Sequence, residues 1–183
     1  MSAPALMLID VQYAIDNPKW GRRGQPDAEL AMASLLAAWR KAKWPVIHVR
    51  HDSDDPNSTY HTMSKGHPFK AEVMPLASET VLPKQTNSAF IGTALAAHLE
   101  RLGTDKIVVG GVLLENSVEA TVRMAGNLGY DVIVAEDAVA SIDRVDRAGN
   151  LWTAEQVHAL TLALLDGEYA AISNSKSIIE SMS

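Results

Sequence analysis

A chain of 183 residues with 47% hydrophobic content is long enough to bury one substantial core, and its length favours one domain over residues 1–183. Its formal net charge of -6 argues against nucleic acid or an anionic membrane surface as partner, since both select for clustered Lys and Arg, and leaves a small-molecule substrate or a protein partner as the expectation. The absence of cysteine excludes disulfides, thiolate metal sites and a thiol nucleophile.

From the amino terminus, the continuous apolar run Ala5 to Ile9 predicts a strand covered on both faces, with Asp10 at its carboxyl end. No stretch approaches the roughly 18 apolar residues of a membrane span, and Met1 to Ile9 lacks the basic start and length of a secretory signal, so a cytoplasmic protein is expected. After a Gly/Pro/Arg-rich loop from Asn17 to Pro26, the segment Asp27 to Lys43 places Leu30, Leu35, Leu36 and Trp39 near helical spacing and predicts the first helix. A strand over Pro45 to Val49 follows. The polar segment from His51 to Pro75 is long for a connection and has little apolar periodicity, which predicts a lid or a partner-facing loop. Beyond it the pattern predicts a strand near Thr80 to Leu82, a helix from about Ile91 to Leu102 and a strand over Lys106 to Gly110. A helix over Asn116 to Leu128, a strand over Asp131 to Ala135 and a helix from Thr153 to Leu165 complete the series.

Strands alternating with helices imply parallel βαβ units, hence a three-layer α/β/α, Rossmann-like domain around a central, mostly parallel sheet of about six strands. Such sheets bind ligands beyond the carboxyl ends of their strands, so Asp10, His51 and the Gly110 to Ser117 turn are expected to converge on one crevice. No GxGxxG follows the first strand, and no cofactor is expected. Ser117 falls in the first turn of a helix, where free N–H groups and the helix dipole favour developing negative charge. On local propensity alone, Asn116 and Ser117 read as helix caps, Asp10 as a turn residue and Lys84 as an ordinary surface lysine.

Three separated motifs give these residues a common meaning: Leu8-Ile9-Asp10-Val11-Gln12, Pro83-Lys84-Gln85-Thr86-Asn87-Ser88-Ala89-Phe90, and Gly110-Gly111-Val112-Leu113-Leu114-Glu115-Asn116-Ser117-Val118-Glu119-Ala120-Thr121. In this order and spacing, over about residues 4 to 174, the chain resembles the isochorismatase-like cysteine hydrolase superfamily. The resemblance implies a catalytic triad of Asp10 as proton acceptor, Lys84 as neighbouring cation and Ser117 at the nucleophile position, where relatives carry cysteine. It also implies a cis peptide at Val112–Leu113 that aims the Leu113 and Ser117 N–H groups at a substrate oxygen as an oxyanion hole. The chemistry of that arrangement suits a thiol better than an alcohol, because an alcohol is a far weaker acid.

His48, His51, His61 and His67 lie close to Asp52, Asp54 and Asp55, a composition that raises a metal site. Residues three apart on a strand point to opposite faces, which separates His48 from His51. The Asp-x-His arrangement of nicotinamidase-like relatives is not reproduced either, so no metal is expected. His51 is implied as a substrate contact instead. Trp20 and Phe90 are candidate pocket walls, with loop or core packing as their plain alternative. The resemblance implies a homo-oligomer, a dimer or higher, and the small residues Ala120, Ala125 and Gly126 would let the helix carrying Ser117 pack closely against another element. Three functions stay open: hydrolysis of a small amide, lactam or related C–N substrate through a covalent intermediate at Ser117, Asp10-dependent cleavage of a vinyl ether, and a catalytically silent small-molecule-binding role.

Overall fold

The structure is a computed structural model that describes residues 3–182. Met1, Ser2 and Ser183, included in the expected domain and in the reading of the amino-terminal segment, lie outside the described residues. Six strands form a parallel sheet: β1 (Ala5–Ile9), β2 (Val46–His51), β3 (Thr80–Lys84), β4 (Lys106–Val112), β5 (Asp131–Ala140) and, after a two-stranded antiparallel ribbon of β6 (Arg144–Val145) and β7 (Leu151–Trp152), β8 (Ala171–Ser173). The spatial order is β3-β2-β1-β4-β5-β8. The chain thus builds outward from β1 in one direction and then, from β4, in the other.

Period-two alternation in β1 divides the core into two layers. Ala5, Met7 and Ile9 face α2 (Leu95–Leu102), α3 (Glu119–Asn127) and α4 (Ala154–Leu165), meeting Leu99, Val122 and Leu165. Leu6 and Leu8 face α1 (Ala28–Ala42) and α5 (Ser175–Glu180), meeting Met32, Leu35, Leu36, Trp39 and Ile178. The predicted three-layer α/β/α arrangement is therefore present, with every neighbouring pair in the large sheet parallel.

Several boundaries differ from expectation for physical reasons. Leu30 sits at helical spacing in α1 yet is 61% exposed, while Met32 takes the buried position. The helix expected from Ile91 begins at Leu95, after a string of turns. The helix expected from Asn116 is preceded by a wide π-type turn over Leu114–Val118, closed by the Val118 N–H donating to Leu113 O at 3.2 Å. Within α3, Ala125 is fully buried and a Cβ on Gly126 would lie 3.0 Å from Tyr169 O, so these small residues admit a turn of the same chain.

The segment between β2 and β3 is tied down rather than loose. Gln12, fully buried, donates through Nε2 to His51 O (3.1 Å) and His67 O (2.7 Å) and accepts the His51 N–H at 2.8 Å. Lys70 reaches Asp16 and Glu29, each at 2.7 Å, and Arg23 grips the same Glu29 with two donors, binding the segment to the start of α1.

Candidate active site

The change of direction between β1 and β4 opens a crevice beyond their carboxyl ends, the usual ligand site of an open parallel sheet. Asp10 follows β1 immediately and adopts φ 56°, in the left-handed region that Asp tolerates better than most residues. Lys84 ends β3 and pairs in register with His51 at the end of β2. Ser117 comes from the π-type turn after β4, and wide turns of this type occur frequently at functional sites. The Val112–Leu113 peptide that leads into the turn is cis.

Asp10, Lys84 and Ser117 meet at one place. Lys84 Nζ, with a fully buried side chain, donates to Asp10 Oδ2 at 2.6 Å and to Thr86 O at 3.0 Å. It also lies 3.1 Å from His51 Nδ1 and 3.3 Å from Ser117 Oγ. An ammonium has three protons, and the three shorter contacts use them. Ser117 Oγ is the most distant of the four neighbours of the ammonium, and Asp10 Oδ1 is buried without a hydrogen-bond partner. Burial pushes the Asp10 carboxyl above its ordinary value, opposed by Lys84, by the neighbouring Ser117 hydroxyl and by His51. Burial and the Lys84 charge depress His51, which is therefore a neutral ring at pH 7.

These groups border a cavity of about 180 Å³ lined by Asp10, Trp20, His51, Ser58, Tyr60, Asn87, Val112, Leu113, Asn116 and Ser117. Trp20 and Tyr60 meet edge to face with centroids 6.0 Å apart, and Tyr60 meets His51 likewise at 5.4 Å. Trp20 is held in place by Nε1, which donates to Ala14 O at 3.0 Å and Thr59 Oγ1 at 3.2 Å. The helix-cap alternative for Ser117 and Asn116 does not describe their side chains: neither the π-type turn nor α3 has a side-chain cap at its start.

Residues 4–164 of the chain match the isochorismatase domain family. The chain belongs to the isochorismatase family. An isochorismatase-family structure from Chromobacterium violaceum superposes with a TM-score of 0.96 at 53% identity, covering 98% of this chain and 93% of that one. The isochorismatase family protein YrdC of Bacillus subtilis is 36% identical over 96% of this chain and 94% of its own length. Maleamate amidohydrolase of Pseudomonas putida is 28% identical over 81% of this chain and 78% of its own. Members of the family are hydrolases, some of them acting on amides.

Against this family background, the other expected site residues divide. Trp20, His51, Leu113 and Ser117 line the cavity. Phe90 is placed elsewhere: its ring packs on Tyr130 at 5.6 Å and against the core layer beneath α2 and α3, because the turns before α2 fold it away from the crevice. The histidines disperse. His48 is buried against Glu79 (2.9 Å) and Phe69, His67 bonds Asp52 at 2.8 Å, and His61 Nδ1 accepts the Met63 N–H. Among the described residues no three His, Cys, Asp or Glu side chains are grouped to hold a metal ion. The cavity walls Ser58, Tyr60, Asn87 and Asn116 had no signal in residue periodicity, although Asn87 and Asn116 stand inside the quoted motifs.

Proposed function

We propose that this chain hydrolyses small amides and related C–N substrates, with Ser117 attacking the carbonyl carbon and Asp10 moving the proton. The observation that carries this reading is the unpartnered, buried Asp10 Oδ1 bordering the same small cavity as Ser117. As Oγ bonds to the carbonyl carbon, its proton passes to Asp10, whose burial strengthens it as a base. The carbonyl oxygen gains the negative charge and is met by the Leu113 and Ser117 N–H groups. The C–N bond then breaks, Asp10 returns the proton to the leaving nitrogen, and an acyl ester remains on Ser117. Water, deprotonated by Asp10, cleaves that ester to a carboxylic acid and frees the serine. Lys84 holds Asp10 in position and balances its charge throughout.

Ammonia release from a panel of small primary amides, with mass spectrometry for an acyl adduct on Ser117, tests this sequence of steps. Asp10→Asn is expected to lower kcat/KM by roughly 10²–10⁴-fold, the usual value of a positioned proton-transfer group. Ser117→Cys is expected to raise it more than about tenfold, since a thiol ionises far more readily beside Lys84. No release from either the wild type or Ser117→Cys refutes the proposal. Burial of Asp10 also favours a second reading, in which its protonated form donates to a vinyl ether. Ser117→Ala separates the two, abolishing amide hydrolysis and sparing vinyl-ether cleavage.

A further inference from the structure

We propose that this cavity selects compact, uncharged amides and excludes amides that carry a second, anionic carboxylate. The inference rests on the amide-hydrolase reading and names the substrate class of that site. Size is the first constraint: a cavity of about 180 Å³ is smaller than the roughly 300–1,000 Å³ of pockets for drug-sized ligands.

Charge is the second. Beyond Asp10 and Ser117, the walls are Trp20, His51, Ser58, Tyr60, Asn87, Val112, Leu113 and Asn116, and none of these side chains is cationic at neutral pH. Lys84 is a cation in contact with the lining residues Asp10 and His51, yet its side chain is fully buried, it does not line the cavity, and its shorter contacts are to Asp10, Thr86 O and His51. Arg23 and Lys70 direct their donors to Glu29, and Arg50 directs its own to Asp52. Lys19 lies over the Trp20 ring as an exposed group, where solvent screens its charge. The one anion-favouring feature, the Leu113–Ser117 turn, is taken by the carbonyl under attack. A carboxylate elsewhere in the cavity would lose its water without gaining a cation, and it would sit near the carboxylate of Asp10. Buried charges without partners are strongly disfavoured.

Neutral recognition, by contrast, is well provided. With Nδ1 turned to Lys84 Nζ, a neutral His51 carries its proton on Nε2 and is a hydrogen-bond donor. Asn87 and Asn116 each present both a donor and an acceptor. A second carboxamide, ketone or ring nitrogen can be met by these groups at no cost in charge burial.

The isosteric pair maleamide and maleamate, which differ by a carboxamide for a carboxylate, tests the proposal. Calorimetric titration of the wild type and of Ser117→Ala at neutral pH should give a Kd for maleamide at least about tenfold below that for maleamate. In Ser58→Lys, which adds a cation to the wall, the gap should close or reverse. Equal or tighter binding of maleamate to the wild type overturns the proposal, as does failure of both compounds to bind at millimolar concentration. An unchanged gap in Ser58→Lys also overturns it, because charge would not be the cause. Ammonia release is read separately: selective binding of maleamide with no release from the amide panel by either the wild type or Ser117→Cys sinks the amide-hydrolase reading and leaves the selectivity standing.

Discussion

Replacing Gly111 with alanine should damage stability and the site together. Gly111 has φ 143°, and a Cβ built on it would lie 2.3 Å from Ile9 O, 2.8 Å from Ile9 N and 3.0 Å from Ile9 C. All three contacts are backbone atoms of β1, so no side chain can turn aside to make room. A side chain held in such a backbone region costs about 1–3 kcal/mol, and overpacking a tight site costs about 1–3 kcal/mol more. Against a typical total stability of about 5–15 kcal/mol, a loss of roughly 2–6 kcal/mol is large. Gly21→Ala is the control, since Gly21 has φ 76° and ψ -157°, also a strained region for a side chain, but nothing within 4 Å of the added carbon, and it should lose only the backbone part, about 1–3 kcal/mol. Urea unfolding of both variants measures the difference. Because Ile9 precedes Asp10 and Gly111 leads into the Leu113–Ser117 turn, any Gly111→Ala protein that folds should also bind and turn over substrate poorly. A Gly111→Ala loss within 1 kcal/mol of the Gly21→Ala loss would refute the close-approach argument.

Gln12→Leu removes the three hydrogen bonds that pin His51 and His67; a loss of about 1–3 kcal/mol and faster hydrogen exchange across residues 52–75 are expected, and unchanged exchange would show that the other ties suffice. Glu79 is held at about 2, against an ordinary 4.5, by Arg40, the Leu76 N–H and His48, which together outweigh its partial burial. A depressed carboxylate adds stability that is complete above its unfolded value and lost as the pH falls toward its folded one, so wild-type unfolding midpoints should drop from pH 4.5 to 2 more steeply than those of Glu79→Gln. Lys84→Met leaves Asp10 buried without its cation, a change worth about 3–5 kcal/mol. Since the folded Asp10 value is already raised by burial, folding favours its protonated form, and the penalty grows as the pH rises through that value; chemical denaturation should find Lys84→Met weaker at pH 8 than at pH 5, and the opposite order would contradict the burial of Asp10.

How much of this was legible in the sequence depends on whether local pattern or tertiary contact set the outcome. The apolar run ending at Asp10 and the Leu35, Leu36 and Trp39 spacing of α1 foretold buried elements, because burial imposes periodicity. β8 has three residues and α5 six, too few for a period to show. The β5 strand was expected to stop at Ala135 where Glu136 and Asp137 interrupt the apolar run. It continues to Ala140, and Asp137 accepts from both the N–H and the hydroxyl of Ser175, which fixes the start of α5. Nothing near Asp137 in the chain announces a partner 38 residues away. Phe90 illustrates the reverse error, since its place in a motif said nothing about which way its ring would turn.

Lys84 shows why the centre of the site was readable only as a set. Alone it is a lysine at the end of a short strand, but its ammonium joins the end of β1 through Asp10, the end of β2 through His51, its own following turn through Thr86, and the turn after β4 through Ser117. Apart from Thr86, each partner lies too far along the chain for local propensity to link it to Lys84. What links them is the parallel sheet, which brings the carboxyl ends of β3, β2, β1 and β4 side by side in that order. A group with three protons and four neighbours cannot satisfy all of them at once, and the weakest contact, 3.3 Å, falls on Ser117. The same crowding that fixes Lys84 as a structural pin leaves one oxygen of Asp10 buried and unpartnered at the centre of the site.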